Sequence, residues 1–249
     1  MKIEVVRCEL QEIQSFRSLF LQENNFQIRY NACHECNWSD SYLLAIDGIK
    51  IGYGSVKGKE KLTDRDAVFE FYVVPPFRKC AYQIFQVLVE ASSARFIECQ
   101  SNELILSSLL YETSYNIQSH VILFKDHLLT NFKMPSVIFR SRREGDSIFE
   151  HTFEPVGDYV LVKEEEIIAS GGFMLHYNIP FADLYMEVKE NYRGLRFGSF
   201  LIQELKRKCY LSGRVLAARC NIQNSASKAS LLKAGLAVCG YMLTGEIKK

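Results

Sequence analysis

The sequence has no long apolar run and no excess of charge of either sign. None of its apolar segments approaches the ~20 residues that span a bilayer, so we expect no membrane association. It contains 30 Lys and Arg residues against 29 Asp and Glu residues, which leaves a net charge of +1. Nucleic-acid-binding proteins usually carry a clear basic excess, so we expect no nucleic-acid partner. The first residues, 1–7, lack the apolar core of a signal peptide, which favours a cytoplasmic protein.

The eight cysteines lack the spacing of a complete metal site or a disulfide framework. Cys33 and Cys36, with His34 between them, could form half of a zinc site, but no second pair of ligands completes it. Several of the other cysteines lie in apolar segments, where reduced thiols pack as small hydrophobic groups. We therefore predict free thiols and no bound metal.

The composition indicates a globular protein. Hydrophobic residues make up 48% and charged residues 24% of the 249-residue chain, which predicts a packed core and not disorder. This length suffices for one large domain or two small ones.

An internal repeat indicates two domains. Each copy reads as strand, hairpin, strand, loop, helix, strand, helix and strand. In the first copy, Asp47-Gly48 is a hairpin turn, and the spacing predicts a helix over 81–94. In the second copy, residues 198–211 form the corresponding helix. The pattern predicts an α+β fold with a mixed sheet, in domains spanning 1–130 and 137–249.

The two copies differ at their beginning. Ile13, Phe16, Leu19 and Phe20 have helical spacing ahead of the first copy. Residues 137–157, which precede the second copy, are too polar and broken for two good helices. We therefore expect the second domain to lack its opening helices.

Residues 188–199 join a predicted strand to a predicted helix. The first N–H groups of a helix lack partners within it, and with the helix dipole they form a site for phosphate oxygens. Gly194 and Gly198 would let the backbone approach such an anion closely, and Arg193 and Arg196 add positive charge. An ordinary turn with a helix N-cap explains this segment equally well.

Two motifs in the second half of the chain resemble those of the GNAT family of N-acetyltransferases. Arg193-Gly194-Leu195-Arg196-Phe197-Gly198 is similar to the family's Arg/Gln-x-x-Gly-x-Gly/Ala loop. Residues 224–236 resemble its Asn-x-x-Ser-x-x-x-Leu-x-Lys-x-Gly-Phe segment, about 25 residues further on. The resemblance implies two tandem acyl-CoA N-acyltransferase (GNAT-like) domains, each a mixed, mostly antiparallel sheet flanked by helices.

The resemblance also implies a function and a set of binding residues. The loop amides would hold the pyrophosphate of acetyl-CoA, the co-substrate, and the acetyl group would pass directly to an amine of a small molecule or peptide in a ternary complex. The implied cofactor-binding residues are Met186, Val188, Arg193, Gly194, Leu195, Arg196, Phe197, Gly198, Ser199, Asn224 and Ser227. For Asn224, helix capping is a compatible interpretation.

The sequence departs from the family pattern at three places. Arg196 stands where the first loop glycine is usual, and it needs an ordinary negative φ or must tolerate strain. The loop of the first copy, 74–83, has no glycine, which indicates a domain that has lost cofactor binding. The family's tyrosine on the last helix falls near Leu231. Its absence favours the alternative of a non-catalytic acyl-CoA sensor or scaffold.

Candidate catalytic residues lie on the strand before the loop. Period-two alternation puts Asp183, Tyr185 and Glu187 on one face. Glu187 is the candidate base and Tyr185 the candidate acid. The alternative for Glu187 is a structural carboxylate, solvated or paired with Arg193. No oligomeric state is predicted.

Overall fold

The computed structural model describes residues 1–24 and 30–248. The chain forms two compact units. The described residues of the first unit are 1–24, 30–120 and 240–248, and those of the second are 121–239. Within the described ranges, no helix is both long enough and apolar enough to cross a membrane. All eight cysteines lie in the described residues, and none of them forms a disulfide.

The elements follow the predicted order closely. Those up to residue 126 are β1 (Ile3–Cys8), α1 (Leu10–Glu23), α2 (Tyr30–Glu35), β2 (Ser39–Ile46), β3 (Ile49–Lys57), β4 (Ala67–Val73), a 3₁₀ helix (Pro75–Cys80), α3 (Ala81–Ser92), β5 (Phe96–Gln100), α4 (Leu104–Thr113) and β6 (Ser114–Asp126). The later ones are β7 (Ile138–Ser141), β8 (Tyr159–Lys163), β9 (Glu166–Met174), β10 (Phe181–Val188), a 3₁₀ helix (Glu190–Tyr192), α5 (Phe197–Leu211), β11 (Val215–Asn221), α6 (Ser225–Lys233) and β12 (Leu236–Ile247).

Among the described residues, each unit contains a mixed sheet of six strands. In the first unit the strands lie in the order β1-β2-β3-β4-β5-β12, and only the β4–β5 pair is parallel. In the second unit the order is β7-β8-β9-β10-β11-β6, and only the β10–β11 pair is parallel. The predicted mixed, mostly antiparallel sheets are therefore present in both halves.

The last strand of each sheet comes from the other copy of the repeat. Residues 121–126 of β6 belong to the second unit, where Val121 is in register with Asn221 of β11. The end of β12 belongs to the first unit, where Met242 is in register with Gln100 of β5. In these units strand pairing, and not chain order, decides where each last strand belongs, and the domain ranges 1–130 and 137–249 stay a prediction.

Helices cover the two sheets unequally. In the first unit, Phe85 of α3 packs edge-to-face on Phe71, and Phe20 of α1 packs edge-to-face on Tyr53. In the second unit, α5 buries Leu201 and Leu205 against the sheet. Between β7 and β8 the second unit has no helix, and residues 142–158 run as irregular chain. The second unit therefore has no opening helices at this point, as expected. The irregular loop lies on one face of β10 instead.

Candidate active site

A gap opens in the second sheet between β10 and β11. The two strands are in parallel register only over three pairs, from Phe181↔Val215 to Asp183↔Ala217. Beyond these pairs β10 continues to Val188 along β9, and β11 continues to Asn221 along β6. The facing edges of β10 and β11 therefore separate toward the carboxyl end of both strands.

The edge of β10 that faces this gap carries backbone hydrogen-bonding groups, of which the Val188 carbonyl accepts from Arg193 Nε. The Lys189 N–H donates to the carbonyl oxygen of Ile168 in β9, so the odd-numbered residues at this end of β10 point their backbone groups toward β9. The even-numbered residues point toward the gap instead. They are Leu184, Met186 and Val188. The structure thereby places the backbone of the predicted binding residues Met186 and Val188 at the open edge.

A pocket of about 600 Å³ occupies the gap. Its helix side includes Gly198, Ser199 and Ser227, from α5 and α6. Its other side includes Glu154 from the irregular loop and Arg219 from β11. Because its walls come from both faces of the sheet, a ligand entering beside the helices can reach the loop side between the strands.

The helix end of the pocket exposes backbone N–H groups at the start of α5. The first hydrogen bond of α5 runs from the Phe200 N–H to Arg196 O at 3.1 Å, so the N–H groups of the preceding residues have no acceptor in the helix. Gly198 is buried there, and a Cβ on it would lie 3.3 Å from Met186 Cε and 3.4 Å from Ser230 Oγ. The position thus has little room for any side chain beside a bound group.

Two residues of the loop have left-handed backbone. Gly194 has φ +80° and Arg196 has φ +70°. Of the two possibilities left open for Arg196, the structure has the strained one, because Arg196 is the N-cap of α5 and turns the chain into the helix. The side chains of Arg196 and Leu195 are exposed, and that of Phe197 is buried.

Arg193 points back toward β10. Its Nε donates to Val188 O at 3.0 Å, and its Nη2 lies 3.3 Å from Glu187 Oε1. Asn224 has the predicted capping role, since its Oδ1 accepts from the Ser227 N–H at 2.9 Å. Both Asn224 and Ser227 also line the pocket, so the two interpretations of this motif coexist.

Glu187 holds the irregular loop in place. Its carboxylate accepts hydrogen bonds of 3.0–3.2 Å from the backbone N–H groups of Thr152, Phe153 and Glu154, and it pairs with Arg193. Burial alone would raise the pKa of Glu187, but these N–H groups and the nearby His151 lower it below its usual range. Glu187 lines the pocket as a carboxylate whose oxygens are already engaged.

Tyr185 lines the same pocket on the loop side of β10. Burial, together with the Asp158 carboxylate, raises the pKa of its phenol, which therefore stays protonated. Asp183, two residues earlier, accepts from Arg219 Nη2 at 2.9 Å. The contacts of Asp183, Tyr185 and Glu187 place all three on one face, as the alternation predicted.

Sequence reasoning missed Phe153, Glu154 and Arg219. Phe153 and Glu154 lie in the irregular loop, where no periodic pattern marks a wall of a pocket. Arg219 lies on β11, and nothing in its strand pattern separates it from a surface arginine. A group of at least three possible metal ligands is not found in the described ranges 1–24 and 30–248.

Comparisons with solved structures identify this architecture. A GNAT-family acetyltransferase from Colwellia psychrerythraea aligns over 100% of both chains with a TM-score of 0.73 and 14% identity. A tandem GNAT protein from the clavulanic acid biosynthesis pathway, solved without acetyl-CoA, covers 100% of this chain and 99% of its own at a TM-score of 0.61 and 10% identity. The chain has a tandem GNAT fold.

A third GNAT-fold structure, a GCN5-related N-acetyltransferase from Sphaerobacter thermophilus, has a TM-score of 0.55 and 15% identity and covers 84% of this chain and 81% of its own. No protein-family model matches the sequence, and the search of curated proteins finds no significant match. At these identities the solved structures establish the fold of the chain.

The first GNAT-like unit has the same strand arrangement as the second, but it lacks the glycine-containing turn that precedes the helix. Its β4 and β5 are in register only at Ala67↔Phe96 and Val68↔Ile97. Arg78 Nε donates to Val73 O at 2.9 Å, the counterpart of the bond from Arg193 to Val188 O. The loop after β4, however, forms the 3₁₀ helix that leads directly into α3, and it contains no glycine and no positive φ.

Proposed function

We propose that the second unit binds acetyl-CoA and transfers its acetyl group to an amine. One observation carries the proposal: the gap between β10 and β11 leads from the N-terminus of α5 to the far face of the sheet. The free N–H groups of α5 suit pyrophosphate oxygens, and the tight space at Gly198 suits close backbone approach. The solved structures that share the GNAT fold support acyl transfer in general.

Each part of the site has a distinct task in this proposal. The loop 193–199 and the capped end of α6 hold the nucleotide and the arm of the co-substrate. The Met186 N–H faces the gap and can donate to the thioester carbonyl oxygen, where negative charge develops during attack. Much of the acceleration then comes from holding the amine and the thioester together.

Binding is tested by thermal denaturation with acetyl-CoA. A ligand that binds only the native state at 100 times its Kd stabilises it by about 2.7 kcal/mol, so we expect a clear rise in Tm for the wild type. Gly198→Glu places a carboxylate beside the free N–H groups at the start of α5, so it should abolish the rise in Tm. Gln83→Glu, at the matching position near the start of α3 in the first unit, should leave the rise in Tm intact.

Gly198→Ala separates misfolding from loss of binding. The added methyl would lie 3.3 Å from the flexible end of Met186, 3.4 Å from the Ser230 hydroxyl and 3.6 Å from Val188 Cγ2. Because the Met186 side chain can shift by the small distance required, this variant should keep the Tm of the free protein. A wild type whose Tm does not move at saturating acetyl-CoA would contradict the proposal. Equal losses in Gly198→Glu and Gln83→Glu would show that the binding half is misassigned.

A second candidate function is a non-catalytic acyl-CoA sensor. The position of the family tyrosine is held by Leu231, which is buried against the second core and supplies no proton. Release of free thiol from acetyl-CoA in the presence of an amine panel distinguishes the two. Transfer to an amine is expected for the enzyme, and binding without thiol release for the sensor.

A further inference from the structure

Glu154 differs from the other carboxylates at the loop side of the pocket. Asp183 is paired with Arg219, and Glu187 is engaged by three backbone N–H groups and Arg193. The Glu154 carboxylate makes no hydrogen bond and no ion pair with any described residue, and it lines the pocket. It is therefore the carboxylate free to receive a ligand.

The backbone of Glu154 is fixed although its side chain is free. Its N–H donates to Glu187 Oε2 at 3.2 Å, and its carbonyl lies 3.0 Å from His151 Nδ1. His151 is held in turn by its Nε2, 3.0 Å from Ser170 Oγ. The buried Glu187 thus fixes the backbone of this loop, and the loop holds Glu154 at a defined place on the pocket wall.

The charges that face Glu154 leave it uncompensated. Asp183 and Glu187 face it from β10, Arg219 from β11 and His151 from its own loop. Because Asp183 is paired with Arg219 and Glu187 with Arg193, the remaining charge at this end is negative. Glu154 is an exposed residue, but desolvation of its carboxylate at the pocket wall and the charges of Asp183 and Glu187 raise its pKa, while Arg219 acts in the opposite direction. A raised pKa favours acceptance of a proton near neutral pH.

We propose that Glu154 binds the protonated amine of the acceptor and acts as its general base, while Glu187 is a positioning residue. The inference rests on the proposed acetyl transfer and names the acceptor class as primary ammonium compounds. It moves the role of base from the strand residue Glu187, whose oxygens are engaged, to the loop residue whose oxygens are free. Phe153, largely exposed beside it, offers apolar surface to the carbon chain of the acceptor.

Two protons leave the amine nitrogen in the proposed transfer. One ammonium proton passes to Glu154, and the nitrogen lone pair attacks the thioester carbonyl carbon. The C–N bond forms, the C–S bond breaks, and its electron pair leaves with sulfur. A second proton leaves the nitrogen and converts the thiolate to the thiol, and Glu154 returns its own proton to water.

Glu154→Gln tests the proposal with phenethylamine as the probe. General-base catalysis is worth roughly 10²- to 10⁴-fold, so kcat/KM for the amine should fall by at least about a hundredfold. The wild-type rate should rise with pH through the pKa of Glu154, and this acid limb should disappear in the variant. The acetyl-CoA Kd should stay within about twofold. Transfer within threefold of wild type, with an unchanged acid limb, would overturn the proposal.

Amine binding measured by calorimetry keeps this test separate from that of the proposed function. The wild-type protein without acetyl-CoA should bind phenethylamine, and Glu154→Gln should bind it at least tenfold more weakly. Phenylalanine, which adds a carboxylate, should bind poorly to both. If acetyl-CoA fails to bind but the amine result holds, only the transfer proposal fails. Absence of amine binding to the wild type, or equal binding to both proteins, would refute the role of Glu154.

Discussion

Arg196 is the residue whose backbone conformation least suits its side chain. A left-handed conformation costs a non-glycine L-residue roughly 1–2 kcal/mol, and strain of this kind often persists at ligand sites. Here it turns the chain from the strand end into α5, so that the free N–H groups of the helix face the pocket. The sequence could mark Arg196 as a departure from the family loop, but it could not decide between a reshaped loop and a strained residue.

Arg196→Asn is expected to stabilise the free protein. Asparagine tolerates the left-handed region better than arginine, and relief of about 1 kcal/mol corresponds to a rise in Tm of roughly 2–4 °C for a chain of this size. Calorimetry without ligand measures the change. Arg193→Asn is the contrast, because Arg193 has an ordinary φ of −68° and donates to Val188 O, so its Tm should fall. A lower Tm for Arg196→Asn would contradict the strain interpretation.

Among the elements, those with a clear period were predicted well. Helices α3 and α5 lie within two residues of their predicted bounds, 81–94 and 198–211, because helical spacing reports directly on a buried face. The loop between β7 and β8 has no period, and its position is fixed by the Glu187 carboxylate, which lies more than thirty residues away in sequence. Glu154 could therefore not be recognised as part of a site from the sequence.

Helix α4 begins at a buried carboxyl group that lacks partners. Glu103, its N-cap residue, is 2% exposed, and neither carboxyl oxygen has a hydrogen-bond partner among the described residues. Burial, and the nearby charge of Glu70, raise the pKa of Glu103 well above its usual range. The folded state then holds a proton that the unfolded state releases above about pH 4.5, so this group lowers stability as the pH rises.

Glu103→Gln should remove that part of the pH dependence. Wild-type stability is expected to fall from pH 5 to pH 8 by about 1.4 kcal/mol for each pH unit lying between the unfolded and folded pKa values of Glu103. Denaturation midpoints at both pH values measure it. Glu112→Gln, an exposed site at the other end of α4, is the control and should retain the wild-type slope. An unchanged slope in Glu103→Gln would show that the carboxyl group is ionised or solvated.

At the scale of the whole molecule, the exchange of last strands is the feature that the sequence could not show. Both β6 and β12 follow their own copy of the repeat, and each has the composition of a strand whichever sheet it joins. The choice of partner depends on register with a strand far away in the chain, as in the pairing of Met242 with Gln100. The predicted domain ranges followed chain order and therefore assigned both strands to the copies that they follow.

Removal of residues 240–249 should therefore damage the first unit more than the second. The cut deletes the partner of β5 from Phe96 to Gln100, where each lost hydrogen bond is worth roughly 1 kcal/mol. It leaves 121–239, which includes the pocket and the pairing of β6 with β11, in place.

Hydrogen exchange should show lost protection in β5 and retained protection in β10, with an acetyl-CoA-dependent rise in protection at the start of α5. Deletion of residues 248–249 alone is the control and should leave β5 protected. Loss of protection in β10 with β5 unaffected would instead support the ranges 1–130 and 137–249.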